Sequence, residues 1–132
     1  MMTYILGVMP PTGWIKPPAD LDEAAVALWN RVLRELREQG TWQASDVGAL
    51  ERYVRAVRRA AAARELVGLE GMTTTGARGQ LVAHPALRIA RDAERDAHDY
   101  AAALLLTPRA RRLAGISETT ALDDELSELL RD

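Results

Sequence analysis

One lysine, Lys16, and sixteen arginines supply the 17 basic residues of this 132-residue chain, and the arginines fall in patterned groups. Arg52, Arg55 and Arg59 recur at i, i+3 and i+7, with Arg58 beside them. At about 100° per helical residue the first three span about 60°, opposite an apolar seam. Guanidiniums on one exposed helix face can meet successive phosphates, and counterion release makes such contacts favourable and salt-dependent. The same spacing also makes an ordinary solvated face, because arginine favours helix. A second group, Arg109, Arg111 and Arg112, follows Thr107 and Pro108 at the start of a short helix. There the helix N-terminus would help dock a phosphate or a carboxylate. Alternatively, these arginines pair with acids of a neighbouring subunit and lock an oligomer. Both groups are candidate DNA contacts. A third stripe, Arg88, Arg91 and Arg95, is interleaved with Asp92, Glu94, Asp96 and Asp99. Pairs at i, i+4 such as Arg88–Asp92 and Arg95–Asp99 predict a solvated or subunit-contacting face.

Catalytic chemistry finds little material. His84 and His98 are the two histidines and there is no cysteine, too few ligands for a metal site of ordinary type. Lys16 sits among prolines and not in a phosphate-binding loop. Ser45, Ser117 and Ser127 lack a nucleophile-elbow setting. No catalytic residue, metal or cofactor is expected. No run approaches the roughly 20 apolar residues of a membrane span. The apolar stretch Tyr4–Met9 is too short and too poor in basic flanks for a signal sequence.

The formal net charge of −2 hides an asymmetry. Residues 1–45 hold four basic and five acidic groups, residues 46–112 twelve and eight, and residues 117–132 one and six. The middle section suits a polyanion and the tail a protein.

These charges require helices to present them. Ala and Leu dominate and Phe is absent, which favours helix over strand. Residues 1–19, rich in Pro and Gly, read as an extended arm. A first helix starts at Asp20, with Glu23 as capping-box partner. It carries Ala25, Leu28, Trp29, Val32 and Leu36 on one face and stops at Gly40. Trp29 reads as core, and Trp42 as a cover for the following turn. Ser45 caps a second helix to about Val67, whose seam is Val47, Leu50, Val54, Val57 and Ala61. The two form a helical hairpin, or a helix-turn-helix-like unit. Between Gly68 and Ala83 the helical period is lost. Met72–Thr75 and Gln80–Val82 there read as a small β-hairpin, or as an ordered loop. Pro85 opens a third helix running to about Leu106, buried through Leu87, Ala90, Ala93, Ala97, Ala101 and Leu104. His84 sits at its start. Thr107 and Pro108 open a short fourth helix, stopped by Gly115. The fold class is all-α: a helical hairpin, a third long helix, a short fourth and a small β-hairpin or loop insertion. The domains are an arm (1–19), a helical core (20–115) and an acidic tail (116–132). In the tail, Leu122, Leu126, Leu129 and Leu130 would share a face if the segment became helical.

The stretch from Leu104 to Leu113 resembles the L-G-L-T-P-x-S-R-x-R-L ending of small terminase subunits of tailed phages. Leu105 stands where Gly is usual, and Ala110 where Ser is usual. Gly79–Leu87 is similar to the segment before the third helix of that family. Leu28, Trp29, Leu36, Gly40, Asp46, Leu50 and Tyr53 resemble its first helical pair. The resemblance covers about Leu21 to Leu113. It implies a non-catalytic, ring-shaped homo-oligomer in the host cytoplasm that binds double-stranded viral DNA and presents it to the large terminase subunit for packaging. In this setting Arg52, Arg55, Arg58, Arg59, Arg109, Arg111 and Arg112 are the expected DNA contacts, and Leu122, Leu126, Leu129 and Leu130 the expected contacts to the large subunit. The alternatives are a dimeric helix-turn-helix regulator from a phage or prophage, and a helical adaptor that binds only protein.

Overall fold

The computed structural model describes residues 15–116 and 129–130. Within them the chain forms helix α1 (Glu23–Gln39), a single 3-10 turn (Ala44–Asp46), helix α2 (Val47–Glu70), strands β1 (Thr73–Thr75) and β2 (Leu81–Ala83), and helices α3 (Pro85–Ala103) and α4 (Pro108–Leu113). The all-α reading with a β-hairpin insertion therefore holds. The strands are antiparallel, with Thr74 opposite Val82. The hairpin caps the far end of an antiparallel pair formed by α2 and α3, the most extensive helix contact in the fold.

Several local details differ from expectation. Asp22, not Asp20, caps α1, its carboxylate accepting from the Ala25 amide at 2.8 Å. Asp20 is taken up in the preceding turn, which the Leu21 amide closes on the Pro18 carbonyl. Ser45 does not cap α2, because it lies inside the 3-10 turn. There the Asp46 carboxylate accepts from the Gln43 amide at 3.0 Å. Packing also begins ahead of residue 20: Ile15 lies against the core, and the Trp29 indole donates to its carbonyl at 3.0 Å.

Three helices end in the same way. At Gly40, Leu105 and Gly115 the backbone turns left-handed (φ 79°, 61° and 78°). The following amide in each case returns to a carbonyl five residues back: Thr41 to Leu36, Leu106 to Ala101 and Ile116 to Arg111. This is the Schellman closure, which satisfies carbonyls that the helix leaves open. At Leu105 it stops α3 short of the expected Leu106. The helix that follows is capped by the Thr107 hydroxyl, which accepts from Ala110.

Two cores result. The first joins α1 (Ala25, Leu28, Trp29, Val32, Leu33, Leu36) to the start of α2 (Leu50, Val54) and to Leu104 at the end of α3. The second joins Ala63 and Val67 of α2 to Ala86 and Ala90 of α3. The expected α2 seam is right for Leu50 and Val54, with Val47 and Val57 half-buried, but Ala61 is exposed. Beyond Val54 the buried face shifts to Ala56, Ala60, Ala63 and Val67, because α3 rather than α1 becomes the neighbour. On α3, Ala86 joins Ala90, Ala93 and Leu104 in the buried stripe, whereas Leu87, Ala97 and Ala101 are only half-buried.

Candidate nucleic-acid interface

The four α2 arginines lie along the helix as expected, in two different states. Arg55 makes a two-pronged contact with Asp20, both bonds 3.0 Å, and reaches Glu51 one turn back at 3.0 Å. Arg58 contacts Asp22 at 3.3 Å through the carboxylate oxygen that does not cap α1. These bonds clamp the entry of α1 onto α2. Hydrogen bonding from Arg55 holds the Asp20 carboxyl below the usual aspartate range, and the Asp20 and Glu51 carboxylates hold Arg55 more firmly protonated. The Ala25 amide, helped by Arg58, does the same for Asp22. Arg52 and Arg59 are exposed and have no ion-pair partner among the described residues. Of the four, Arg52 and Arg59 are therefore immediately available to phosphate, and Arg55 and Arg58 are spoken for by acids that sequence distance conceals.

The second group also divides. Arg111 is half-buried and donates to the Leu105 carbonyl at 3.5 Å, an oxygen that also accepts from Gln39 at 3.2 Å. Arg111 thus ties α4 to the end of α3, and Gln39 ties the same carbonyl to α1. Arg109 and Arg112 are exposed and, with Leu113 and His98, edge a groove of about 520 Å³ between α3 and α4. Of the tail leucines, Leu129 and Leu130 are exposed, and Leu122 and Leu126 lie outside the described residues.

On α3 the expected ion pairs Arg88–Asp92 and Arg95–Asp99 are not formed; Arg64 of α2 instead holds Glu94 with bonds of 2.8 and 2.9 Å. The Arg64 bonds keep the Glu94 carboxyl below the usual glutamate range. His84 is a residue whose full role was hidden in the sequence. Its Nδ1 accepts from the Ala86 amide at 3.0 Å, and its Nε2 stands 2.9 Å from Glu70, locking the start of α3 to the end of α2. A histidine directly before Pro85 was the only signal for it.

Among the described residues no helix is long and apolar enough to cross a membrane, and no three His, Cys, Asp or Glu residues are grouped to hold a metal ion. The profile of one family, described as phage terminase, small subunit, matches residues 25–120. No curated protein and no solved structure matches the chain. The matched span runs from the first turn of α1 through α4 and includes both arginine groups, so the chain belongs to the phage terminase small-subunit family.

Proposed function

We propose that this terminase small subunit recognises viral DNA and presents it to the large terminase subunit in the host cytoplasm, itself carrying no active site. The family match over residues 25–120 carries the reading. The exposed Arg52 and Arg59 on α2 support it by offering phosphate contacts that no ion pair occupies among the described residues, although Arg59 shares a groove with Asp20 and Asp22. Arg109 and Arg112 are secondary contacts, and Arg55, Arg58 and Arg111 act mainly by holding the helices that present the others. The domain division into an arm (1–19), a helical core (20–115) and an acidic tail (116–132) serves this reading, with the tail as the contact to the large subunit through Leu122, Leu126, Leu129 and Leu130. Its charge would keep it off DNA.

The functional form is a ring-shaped homo-oligomer. Leu66, Leu69, Met72, Leu81 and Ile89 are exposed around the far end of the α2–α3 pair. Apolar surface gathered at one end of a subunit favours burial against another copy. Fluorescence anisotropy with duplex DNA across a salt series tests DNA recognition. Arg52→Ala with Arg59→Ala should weaken binding and flatten the dependence of log affinity on log salt by about two units. An unchanged slope with the assembly intact would remove α2 from the interface. Light scattering tests the ring: a dimer would favour the regulator reading, and a monomer would deny assembly. Removal of residues 117–132 should leave DNA binding intact and abolish capture of the large subunit.

A further inference from the structure

We infer that a second phosphate-binding site lies in the cleft between the far halves of α2 and α3, where Arg64, Arg88 and Arg91 receive the DNA backbone. This rests on the DNA-binding reading above and adds to it a place of contact outside the α2 arginine row. The cleft has a volume of about 660 Å³ and is walled by these three arginines together with Leu87, His84 and Pro85. Among the described residues its walls contain no carboxylate. Asp92, expected to neutralise Arg88 along the helix, does not reach it, Arg91 has no ion-pair partner among the described residues, and the first turn of α3 holds no acid. Arg64 is already oriented: its Nε and one terminal nitrogen bind Glu94, which leaves the other terminal nitrogen free to donate.

Arg64 is already balanced by Glu94, but Arg88 and Arg91 face the open cleft with no carboxylate partner among the described residues, so an anion entering there relieves their mutual repulsion. A phosphodiester fits that need, because its oxygens match the planar donor fork and its charge persists at every physiological pH. The ground beneath the site is firm. His84 fixes the start of α3 through the Ala86 amide and Glu70, and the Met72 carbonyl accepts from the His84 amide at 2.8 Å. Arg88 and Arg91 are thus carried on a helix start tied to both α2 and the β-hairpin.

The test uses the full chain and duplex DNA over a salt series, with Arg88→Ala/Arg91→Ala and, separately, Glu94→Gln. The double variant should flatten the salt slope by about two units and lower affinity by roughly tenfold or more, with helix content and assembly mass unchanged. Glu94→Gln, which removes the one carboxylate engaging Arg64, should tighten binding. Unchanged affinity and slope in the double variant, or weaker binding by Glu94→Gln, would overturn the site while leaving DNA recognition through α2 intact. If the double variant does not fold, the direction of the Glu94→Gln effect decides alone. Inorganic phosphate at matched ionic strength separates the two sources of the anion. If it raises the melting temperature through Arg88 and Arg91 while duplex affinity ignores both, the cleft takes free phosphate and the DNA assignment falls. Failure of the unaltered chain to bind duplex even at low salt would instead sink the reading on which this site depends.

Discussion

The near and far halves of α2 belong to one unbroken helix yet bury unlike material. The near half sets Leu50 and Val54, both fully buried, against Trp29, Leu33 and Leu36 of α1. The far half sets Ala63 and Val67 against Ala86 and Ala90 of α3, with Ala60 and Ala93 also buried, while Leu66 and Leu69 are exposed. Bulky side chains make the near half a self-sufficient core, since each fully buried leucine or valine contributes roughly 1.5–3 kcal/mol. Alanines contribute little area each but let two backbones approach closely, and they leave ion pairs such as Arg64–Glu94 to fix the alignment. One half is built to hold the chain together. The other is a closely fitted helix pair whose large apolar groups are exposed.

That contrast can be broken in order of expected effect. Leu50→Ala empties the near core and should cost about 2–5 kcal/mol in urea denaturation. A loss below about 1 kcal/mol would mean that the near half is not the main store of stability. Ala90→Leu attacks the far half from the opposite side, by overfilling a fully buried seam. It should cost about 1–3 kcal/mol and separate the ends of α2 and α3, readable as faster amide exchange in the β-hairpin. Equal protection in both proteins would show that the seam has room to spare.

Leu105→Gly sharpens the comparison at the junction, where the end of α3 returns to the near core. Leu105 adopts φ 61°, a conformation that costs a side-chain-bearing residue about 1 kcal/mol or more. Glycine should therefore raise stability by roughly 0.5–1 kcal/mol, offset in part by the lost half-buried side chain, and shift the melting temperature upward. A fall would mean that the Leu105 side chain outweighs its backbone strain. The smallest effect concerns acid. Asp20 and Asp22 both have folded-state values below the ordinary 3.8. Their stabilisation is fully present above that value and is lost as pH falls through the lower folded-state values. Asp22→Asn, measured by thermal melting from pH 6 downward, should flatten this acid limb while leaving the Arg64–Glu94 contribution in place. An unaltered limb would show that the α1 clamp adds nothing measurable.

The residues of α1 made their own face legible, because Leu28, Trp29, Val32 and Leu36 differ sharply from the charged positions between them. Gly40 and Gly115 likewise marked two helix ends, glycine being the residue that tolerates a left-handed turn at no cost. The identical turn at Leu105 carried no such mark, although the resemblance places glycine at that position, and this was the signal that could have found it. The number and order of the helices and the separation of charge were also legible in the sequence, and the insertion between α2 and α3 was legible as a hairpin or a loop, whereas the helix ends were not all placed correctly. Tertiary structure decided what hydropathy could not rank. Along the far half of α2, Ala60 and Ala63 are buried and Ala61 and Ala62 are exposed, and only the position of α3 distinguishes them. It also decided which arginines are free. Asp20 lies 35 residues from Arg55, and Asp22 lies 36 from Arg58. Arg64 likewise meets Glu94 across 30 residues. Ion pairing depends on distance in space and not along the chain, so four arginines alike in sequence became two clamps and two open donors only when α1 folded against α2.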